Sequence, residues 1–309
     1  MAEDEHRRLA RLAPNLRRRA QIYDFIRAFF KERDFLEVET PIRAPAIAPE
    51  PFIVPFQSED WFLAASPELH MKRLLAAGYE KLFQFSHCFR KGERGRWHNP
   101  EFIMLEWYRQ GADYLGIIED TEQLIASIAP KLGFKNTITY QGKKLDLTFP
   151  WPRITVRDAY IRSAGWDPVA VNDSVRFDMD FVSKVLPAFS PERPTVLIDY
   201  PAPQASLARL KPGNPLVAER AEVFIGGLEL ANAYSELIDA QEQARRFREA
   251  VEEIRRERGQ DMPLPDSFIK AVARLPECGG IALGIDRLVM LFCDAASIDD
   301  VLPFTADNT

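Results

Sequence analysis

The chain has 309 residues, of which 46% are hydrophobic and 28% are charged, an ordinary composition for a globular protein with a sizeable core. Its apolar runs fall short of the roughly 20 residues that a membrane helix requires, and the N-terminal MAEDEHRRLARL lacks the apolar centre of a signal peptide. We therefore expect a cytoplasmic protein with no membrane partner. A formal net charge of −6 argues against a broad nucleic-acid-binding face, although a local basic patch is compatible with it.

The cysteines and histidines are too widely scattered to form a paired metal-ligand pattern. Cys88, Cys278 and Cys293 are therefore expected to be reduced thiols, mostly within the core.

The N-terminal part of the chain predicts a helix and then a short strand. Asn15 is suited to cap a helix that runs to about Arg33, because apolar residues recur at helical spacing between them. Residues 35–41 predict a short strand that Pro41 ends.

A further strand and a helix are predicted next. Residues 61–65 have the pattern of a strand, and Pro67 and Glu68 are typical of the first turn of a helix that runs to Leu75. Glu68 alone has the pattern of a helix-start acid.

Residues 82–108 predict a β-hairpin with a charged tip. The strands are residues 82–89 and 101–108, and the loop between them contains glycine and many charges. The cations of the loop are Arg90, Lys91, Arg94 and Arg96. They should repel one another unless solvent or an anion such as a polyphosphate screens them, so the hairpin is either a phosphate-binding element or a solvated charged turn.

The rest of the chain is less informative. We expect a helix over residues 113–129, a hairpin over 137–149 and a strand over 195–199, with proline-rich segments between them. Residues 241–258 predict a charged helix whose arginines and glutamates pair at i,i+4 on a solvated face. Without an internal repeat or a low-complexity linker, residues 1–309 are expected to form a single domain.

Three stretches together resemble the class II lysyl-tRNA synthetases. Motif 2 of that family is similar to residues 89–90, 98–102 and 105–108, which read FR, HNPEF and LEWY. The strand that supplies metal and substrate carboxylates resembles residues 227–237, GLELANAYSEL, and motif 3 resembles residues 280–288, GIALGIDRL. The N-terminal helix, strand and proline are similar to motif 1, the dimer-forming element.

The resemblance implies an α+β fold, a class II synthetase-like catalytic core with a mainly antiparallel sheet flanked by helices, and a homodimer. It also implies amino-acid activation with ATP and Mg²⁺. Arg90 would bind the α-phosphate and Arg287 the γ-phosphate, both as catalytic residues. The ATP-binding residues that it implies are Arg90, Gly92, Asn99, Phe102, Glu229, Leu230, Gly284 and Arg287.

Glu229 and Glu236 are the implied magnesium ligands, and carboxylate oxygens suit that ion. They are seven residues apart, so a regular strand would place them on opposite faces. We therefore expect a bulge or bend near Asn232 and Ala233 if both reach one site.

The substrate-binding residues that the resemblance implies are Ser66, Pro67, Glu68, Glu106, Tyr108, Glu236 and Ala282. Their acids and hydroxyls suit a cationic amino acid, namely lysine or a lysine isomer.

Two positions depart from the synthetase pattern. Gly92 stands where motif 2 has a glutamate, with Glu93 one place late, and Ala282 stands where lysyl-tRNA synthetases have glycine. The extra methyl group of Ala282 is expected to disfavour α-lysine relative to β-lysine, unless the residue is only a small contact between a helix and a strand.

The motif 1 helix starts too early in the chain to leave room for an anticodon-binding domain, so we expect no such domain and no tRNA partner. This resembles the lysyl-tRNA synthetase paralogues that ligate (R)-β-lysine to a lysine of elongation factor P. Two alternatives stay open: a truncated enzyme that charges tRNA, and a non-catalytic regulatory paralogue.

Overall fold

The computed structural model describes residues 5–309, so the first four residues of the N-terminal stretch discussed above lie outside the described part. The described chain forms two compact units. The first comprises residues 5–110 with Ile238–Pro276 and Leu283–Thr309, and the second comprises Gly111–Leu237 with Glu277–Ala282.

The first unit contains five α-helices and six complete strands of the described chain. Its helices are α1 (Glu5–Lys31), α2 (Glu68–Ala76), α6 (Ala240–Arg258), α7 (Asp266–Val272) and α8 (Ile285–Cys293). Its strands are β1 (Leu36–Glu37), β2 (Arg43–Ala44), β3 (Gln57–Ser58), β4 (Trp61–Leu63), β5 (Lys81–Phe89) and β6 (Glu101–Gln110).

The predicted hairpin is the centre of the first unit. Strands β5 and β6 pair antiparallel over their whole length, from Lys81 opposite Arg109 to Phe89 opposite Glu101. Strand β1 pairs parallel with β5, and β2, β4 and β3 form a separate small antiparallel sheet. The middle of β6 is buried on both faces, so this strand is an interior element and not a solvated hairpin arm.

The N-terminal helix begins earlier than the sequence predicts. Asn15 was expected to cap the helix, yet α1 already runs from Glu5 and contains Pro14 within it. The reason is tertiary packing, since Leu12 is buried and the amide of Asn15 donates to the carbonyl of Asp300 at 2.9 Å instead of capping the helix. Burial of an apolar stripe outweighs the backbone hydrogen bond that proline removes.

The second unit contains three α-helices and most of the remaining strands. Its helices are α3 (Tyr114–Lys131), α4 (Val156–Ala164) and α5 (Ser174–Asp180). Its strands are β7 (Thr137–Tyr140), β8 (Lys143–Asp146), β9 (Arg153–Thr155), β10 (Thr195–Pro201), β11 (Leu210–Lys211), β12 (Asn214–Ile225), β13 (Leu228–Ser235) and most of β14 (Cys278–Gly284).

Strand β12 organises the second unit. It pairs antiparallel with β10, β11 and β13, while β9 joins β10 in parallel and β7 and β8 form their own hairpin. Helix α3 packs on β12 and β13, and α4 packs on β10. The predicted α+β class, with a mainly antiparallel sheet flanked by helices, is confirmed.

Most other predicted elements are found within a few residues of the expected bounds, including α2, α3, α6 and the β7–β8 hairpin. Cys88 and Cys278 are buried free thiols, and Cys293 is half-buried. Among residues 5–309 no helix is both long and apolar enough to cross a membrane.

Candidate active site

A buried carboxylate forms the centre of the first unit's site. Glu106 in β6 is 1% exposed, and both of its oxygens accept hydrogen bonds. Ser66 Oγ donates to Oε1 at 2.6 Å, and Tyr108 OH donates to Oε2 at 2.7 Å. The predicted substrate residues Ser66, Glu106 and Tyr108 are therefore brought together.

The environment of Glu106 controls its charge. Burial raises the pKa of Glu106 to about 7, and the like charge of Glu68 acts in the same direction. The hydroxyls of Ser66 and Tyr108 and the ammonium of Lys72 oppose that rise. The carboxyl group thus titrates near neutral pH, and its charge depends on the charged groups placed beside it.

Glu68 lies at the start of α2 beside Glu106. Pro67 precedes the helix, and the backbone N–H of Glu68 donates to Ser66 Oγ at 3.0 Å, so the hydroxyl that binds the Glu106 carboxylate also holds the first residue of α2. Lys72, one turn later, donates to Glu68 Oε1 at 2.5 Å and is 1% exposed.

Lys72 was missed by the sequence prediction, although a signal was available. It lies three residues after Leu69 and three before Leu75, on the buried stripe of α2. A lysine at a helical position that otherwise requires an apolar residue indicates a buried partner.

Arg90 lies at the end of β5, as predicted. Its guanidinium is 5.2 Å from the centroid of the Phe102 ring, and Glu93 Oε1 is 3.7 Å away. Gly92 has φ +86°, a conformation that glycine adopts without strain. Glu93, one position after the place of the motif 2 glutamate, thus lies close to Arg90.

Two of the other loop cations, Arg94 and Arg96, have partners within the protein, which the expectation of screening by solvent or an anion did not include. Arg94 pairs with Asp307 at 2.9 Å, and Arg96 donates to the carbonyl of Ala296 at 2.6 Å. These contacts hold the loop to the C-terminal segment, which the sequence prediction did not consider.

Asn99 has both ends of its side chain engaged by the backbone. Its amide donates to the carbonyl of Glu101 at 2.5 Å, and its oxygen accepts from the N–H of Ala306 at 3.0 Å. The residue orders the loop and the C-terminal segment, and its contact with a nucleotide stays a prediction.

Arg287 lies in the first turn of α8. Its Nη2 is 2.7 Å from Nε2 of His98, and its Nε donates to the carbonyl of Trp97 at 3.4 Å. Burial and then the charge of Arg287 lower the pKa of His98, so the neutral imidazole accepts this hydrogen bond. Gly284 precedes α8, and a Cβ there would meet only the side chain of Arg287, at 3.8 Å or more.

Asp286 joins the three motif-bearing elements of the first unit. It is buried, its Oδ1 is 2.6 Å from Nη1 of Arg19 in α1, and its Oδ2 accepts from the N–H of Ile103 in β6 at 3.1 Å. Asp286, which precedes Arg287, is thus fixed to both α1 and β6.

The second unit holds the predicted magnesium ligands. Glu229 is exposed in β13, Leu230 is buried, and Glu236 is buried just after the strand. The pairing of β12 with β13 is irregular at Leu230, since Val223 faces Ala231 while Phe224 faces Glu229.

This bulge lies at Leu230 and not near Asn232 and Ala233, where it was expected. Glu229 pairs with Phe224 and Asn232 pairs with Glu222, and residues two apart in β12 lie on the same face, so Glu229 and Asn232 share a face of β13. Glu236 is four residues after Asn232 and continues on that face. The seven-residue spacing of the two glutamates is therefore compatible with a common face.

An arginine on the same face was not predicted. Arg220 in β12 donates to Glu222 Oε1 at 2.6 Å, to the carbonyl of Gln204 at 2.7 Å and to Asn232 Oδ1 at 3.3 Å. Its position opposite Tyr234 in the β12–β13 pairing gives this face a half-buried cation beside the acids.

Ala282 lies half-buried in β14. A Cβ on Gly279 would come within 2.6 Å of Ile117 in α3, so the tight contact of this strand with a helix is at Gly279. Residues three apart in a strand face opposite sides, and Ala282 therefore faces away from that contact. Ala282 is therefore not part of that contact, and its place in the amino-acid pocket stays a prediction.

The predicted magnesium site offers few protein ligands. Within the described part of the chain, no group of three or more His, Cys, Asp or Glu residues forms a possible metal site. Magnesium commonly takes one or two protein carboxylates and completes its shell with substrate phosphates and water. Glu229 and Glu236 fit a magnesium site of this kind, with two carboxylates.

Comparison with known proteins gives a consistent result. Residues 6–308 match the family model of class II tRNA synthetases (D, K and N). The chain is 37% identical to the elongation factor P--(R)-beta-lysine ligase of Salmonella paratyphi A and 38% identical to the protein of that name from Salmonella dublin. A protein of the same name from Salmonella heidelberg is 37% identical. Each alignment covers 96% of this chain and 96% of the relative.

Proposed function

The chain belongs to the class II tRNA synthetase family (D, K and N), and from that premise we propose that it is an ATP-dependent ligase acting on elongation factor P. It activates (R)-β-lysine, or lysine, as an acyl-adenylate and transfers it to the ε-amino group of a lysine of that acceptor. The observation that carries the proposal is the 37–38% identity, over 96% of both chains, to proteins named for this ligation.

The pocket around Glu106 supports a cationic substrate. A buried carboxylate needs a partner charge or hydrogen bonds, and the site supplies hydroxyls but leaves two acids, Glu68 and Glu106, with one lysine. A substrate ammonium adds the missing positive charge, and the lysine isomers carry such a group at the end of a flexible chain.

The first half-reaction is formation of the adenylate. The substrate carboxylate attacks the α-phosphorus of ATP, a P–O bond forms, and the bond to pyrophosphate breaks. Arg90 would neutralise the α-phosphate and Arg287 the γ-phosphate, so that negative charge on the transferring group is balanced as the reaction proceeds. Phe102 would stack on adenine, and Gly284 would let the backbone approach the nucleotide.

The second half-reaction is transfer. The ε-amine of the acceptor lysine attacks the acyl carbon, an amide bond forms, AMP leaves, and the amine loses a proton. No residue is assigned as the base for that proton.

Magnesium, when bound, would neutralise phosphate charge and orient the pyrophosphate leaving group. Glu229 and Glu236 would hold it, and their shared strand face and the limited number of acids support a site that phosphates complete.

Membership of this family supports four further proposals, on location, oligomeric state, domain organisation and acceptor. The protein is a cytoplasmic homodimer, and the half-exposed Leu36 and Ile42 in the motif 1 region, with 49% and 47% of their surface accessible, suit a twofold interface. Its 309 residues act as a single catalytic domain, and tRNA is not its acceptor. Sedimentation at micromolar concentration distinguishes the dimer from a monomer.

Exchange of labelled pyrophosphate into ATP tests the proposed function. Exchange should depend on a lysine isomer and should proceed without RNA, because adenylation uses only this chain and its small substrates. Exchange only in the presence of tRNA would favour the tRNA-charging alternative, and no exchange with any isomer would favour a non-catalytic paralogue.

A further inference from the structure

We propose that Lys72 is a positioning residue of the amino-acid pocket: its buried ammonium binds Glu68 and thereby leaves Glu106 as the carboxylate that receives the substrate's ammonium. This inference rests on the proposed function, because it concerns what keeps Glu106 ionised in the pocket that binds the amino acid.

The position of Lys72 does not require a charge for packing. The residue is 1% exposed on the inner stripe of α2, between Leu69 and Leu75, where an apolar side chain would avoid the cost of burying an ammonium. Its Nζ is bonded to Glu68 Oε1 and lies 5.9 Å from the ring centroid of Tyr108, whose hydroxyl binds Glu106. The lysine thus lies within the acid cluster and not at its edge.

The charge count explains why a cation belongs there. Glu68, Glu106 and Lys72 together carry one net negative charge when both acids are ionised, which matches one ammonium of the substrate. Two buried carboxylates without Lys72 would repel each other, and one of them would take up a proton. A proton on Glu106 would then compete with the substrate for the same oxygens.

Glu106 is influenced from both neighbouring elements. From α2 it meets Glu68 and Lys72, from its own strand Tyr108, and from β5 the thiol of Cys88. The charge of Glu68 raises the pKa of Glu106 and that of Lys72 lowers it. Removing the ammonium should therefore move the titration of Glu106 to higher pH.

Lys72→Met, a change of similar length without charge, is the test. We expect the KM for the lysine isomer in pyrophosphate exchange to rise by about fivefold or more at pH 7, since a rise of one unit from a pKa of about 7 lowers the ionised fraction of Glu106 from about one half to about one tenth. The defect should shrink as pH rises towards 9, while the KM for ATP changes less than about twofold. Lys270→Met, at an exposed position of α7, is the matched control and should leave the profile unchanged.

A second pair of measurements separates positioning from a merely structural role. Carboxyl-carbon NMR of selectively labelled protein, recorded without substrate, should show Glu106 titrating at higher pH in Lys72→Met than in the wild type. Adding Glu68→Gln removes the other charge of the pair and should bring the pH midpoint of amino-acid binding back towards the wild-type value, even if activity stays low.

The outcomes are distinguishable. An unchanged Glu106 titration in folded Lys72→Met, or a loss that is equal at every pH and affects ATP and the amino acid alike, would overturn the role of Lys72. If Lys72→Met does not fold, the double variant with Glu68→Gln decides, because a wild-type-like midpoint there supports the charge argument and a displaced one contradicts it. Wild-type protein that exchanges with no lysine isomer would refute the proposed function, while the NMR titration would still test the coupling.

Discussion

The guanidinium of Arg19 lies 2.6 Å from the carboxylate of Asp286, next to the arginine that is expected to hold the γ-phosphate. The pair is buried, and Asp286 also accepts the N–H of Ile103. Asp286 therefore fixes α8, which carries Arg287, to α1 through the ion pair and to β6, which carries Glu106, through the hydrogen bond.

Arg19→Met is predicted to lower the free energy of unfolding by about 3–5 kcal/mol, because it leaves a buried carboxylate without its cation. Denaturant unfolding of the variant measures this loss. Arg17→Met, an exposed position of the same helix, is the control and should cost less than about 0.5 kcal/mol.

The double change Arg19→Met with Asp286→Asn should be less destabilising than the sum of the single changes, since neither charge is then stranded. Strict additivity would show that the two side chains do not interact in the folded protein.

The stability of the protein should depend on Glu106 in a defined pH window. Burial raises the pKa of Glu106 from its ordinary value of 4.5 to about 7, so the folded state keeps a proton that the unfolded chain has already released. Stability from this group is therefore present below pH 4.5 and is lost as pH rises to about 7.

Glu106→Gln removes that titration. Relative to the wild type, its free energy of unfolding should increase by about 3 kcal/mol between pH 4.5 and pH 8, from a pKa difference of about 2.5 at 1.36 kcal/mol per unit. Denaturant unfolding across this range is the measurement, with the exposed Glu252→Gln as control. A difference that is constant with pH would mean that Glu106 titrates normally in the folded protein.

Arg287→Ala and Glu229→Gln should each slow pyrophosphate exchange by about a hundredfold or more, since preorganised charges at a reacting phosphate contribute about 3 kcal/mol to the transition state. Circular dichroism should show both variants folded. Wild-type exchange rates in either variant would remove that residue from the assigned set.

Ala282→Gly should raise kcat/KM for α-lysine relative to (R)-β-lysine, because it removes the methyl group that is expected to obstruct the α-amino group. A tight pocket discriminates one such group by about 1–3 kcal/mol. Exchange assays with both isomers give the ratio, and the KM for ATP should stay nearly constant. An unmoved ratio would assign the selectivity to the carboxylates that hold the ammonium groups.

The sequence was most informative where local pattern and packing agree. The strands of the central hairpin and the start of α2 after Pro67 follow from apolar periodicity and turn chemistry, whereas Arg287 was identified by the resemblance to motif 3. The early start of α1 does not, because Asn15 has the local pattern of a helix cap, and burial of Leu12 overrides that pattern.

The site was harder to predict than the fold because its partners are distant in sequence. Asp307 and Ala296 bind loop arginines that lie about two hundred residues earlier, a relationship that no local pattern contains. The bulge at Leu230 required the register of two paired strands. Lys72 differs, since its place on an apolar stripe was visible in the sequence.

The central claim is that this chain ligates a lysine isomer to elongation factor P, and intact-protein mass spectrometry of that acceptor tests it most directly. Purified elongation factor P is incubated with the enzyme, ATP and either (R)-β-lysine or α-lysine, with Arg287→Ala enzyme as control. A mass increase of one lysyl group, located by fragmentation on a lysine side chain, larger with the β isomer and absent with the variant, is the predicted result. An acceptor of unchanged mass, under conditions in which the same enzyme exchanges pyrophosphate into ATP, would contradict the claim.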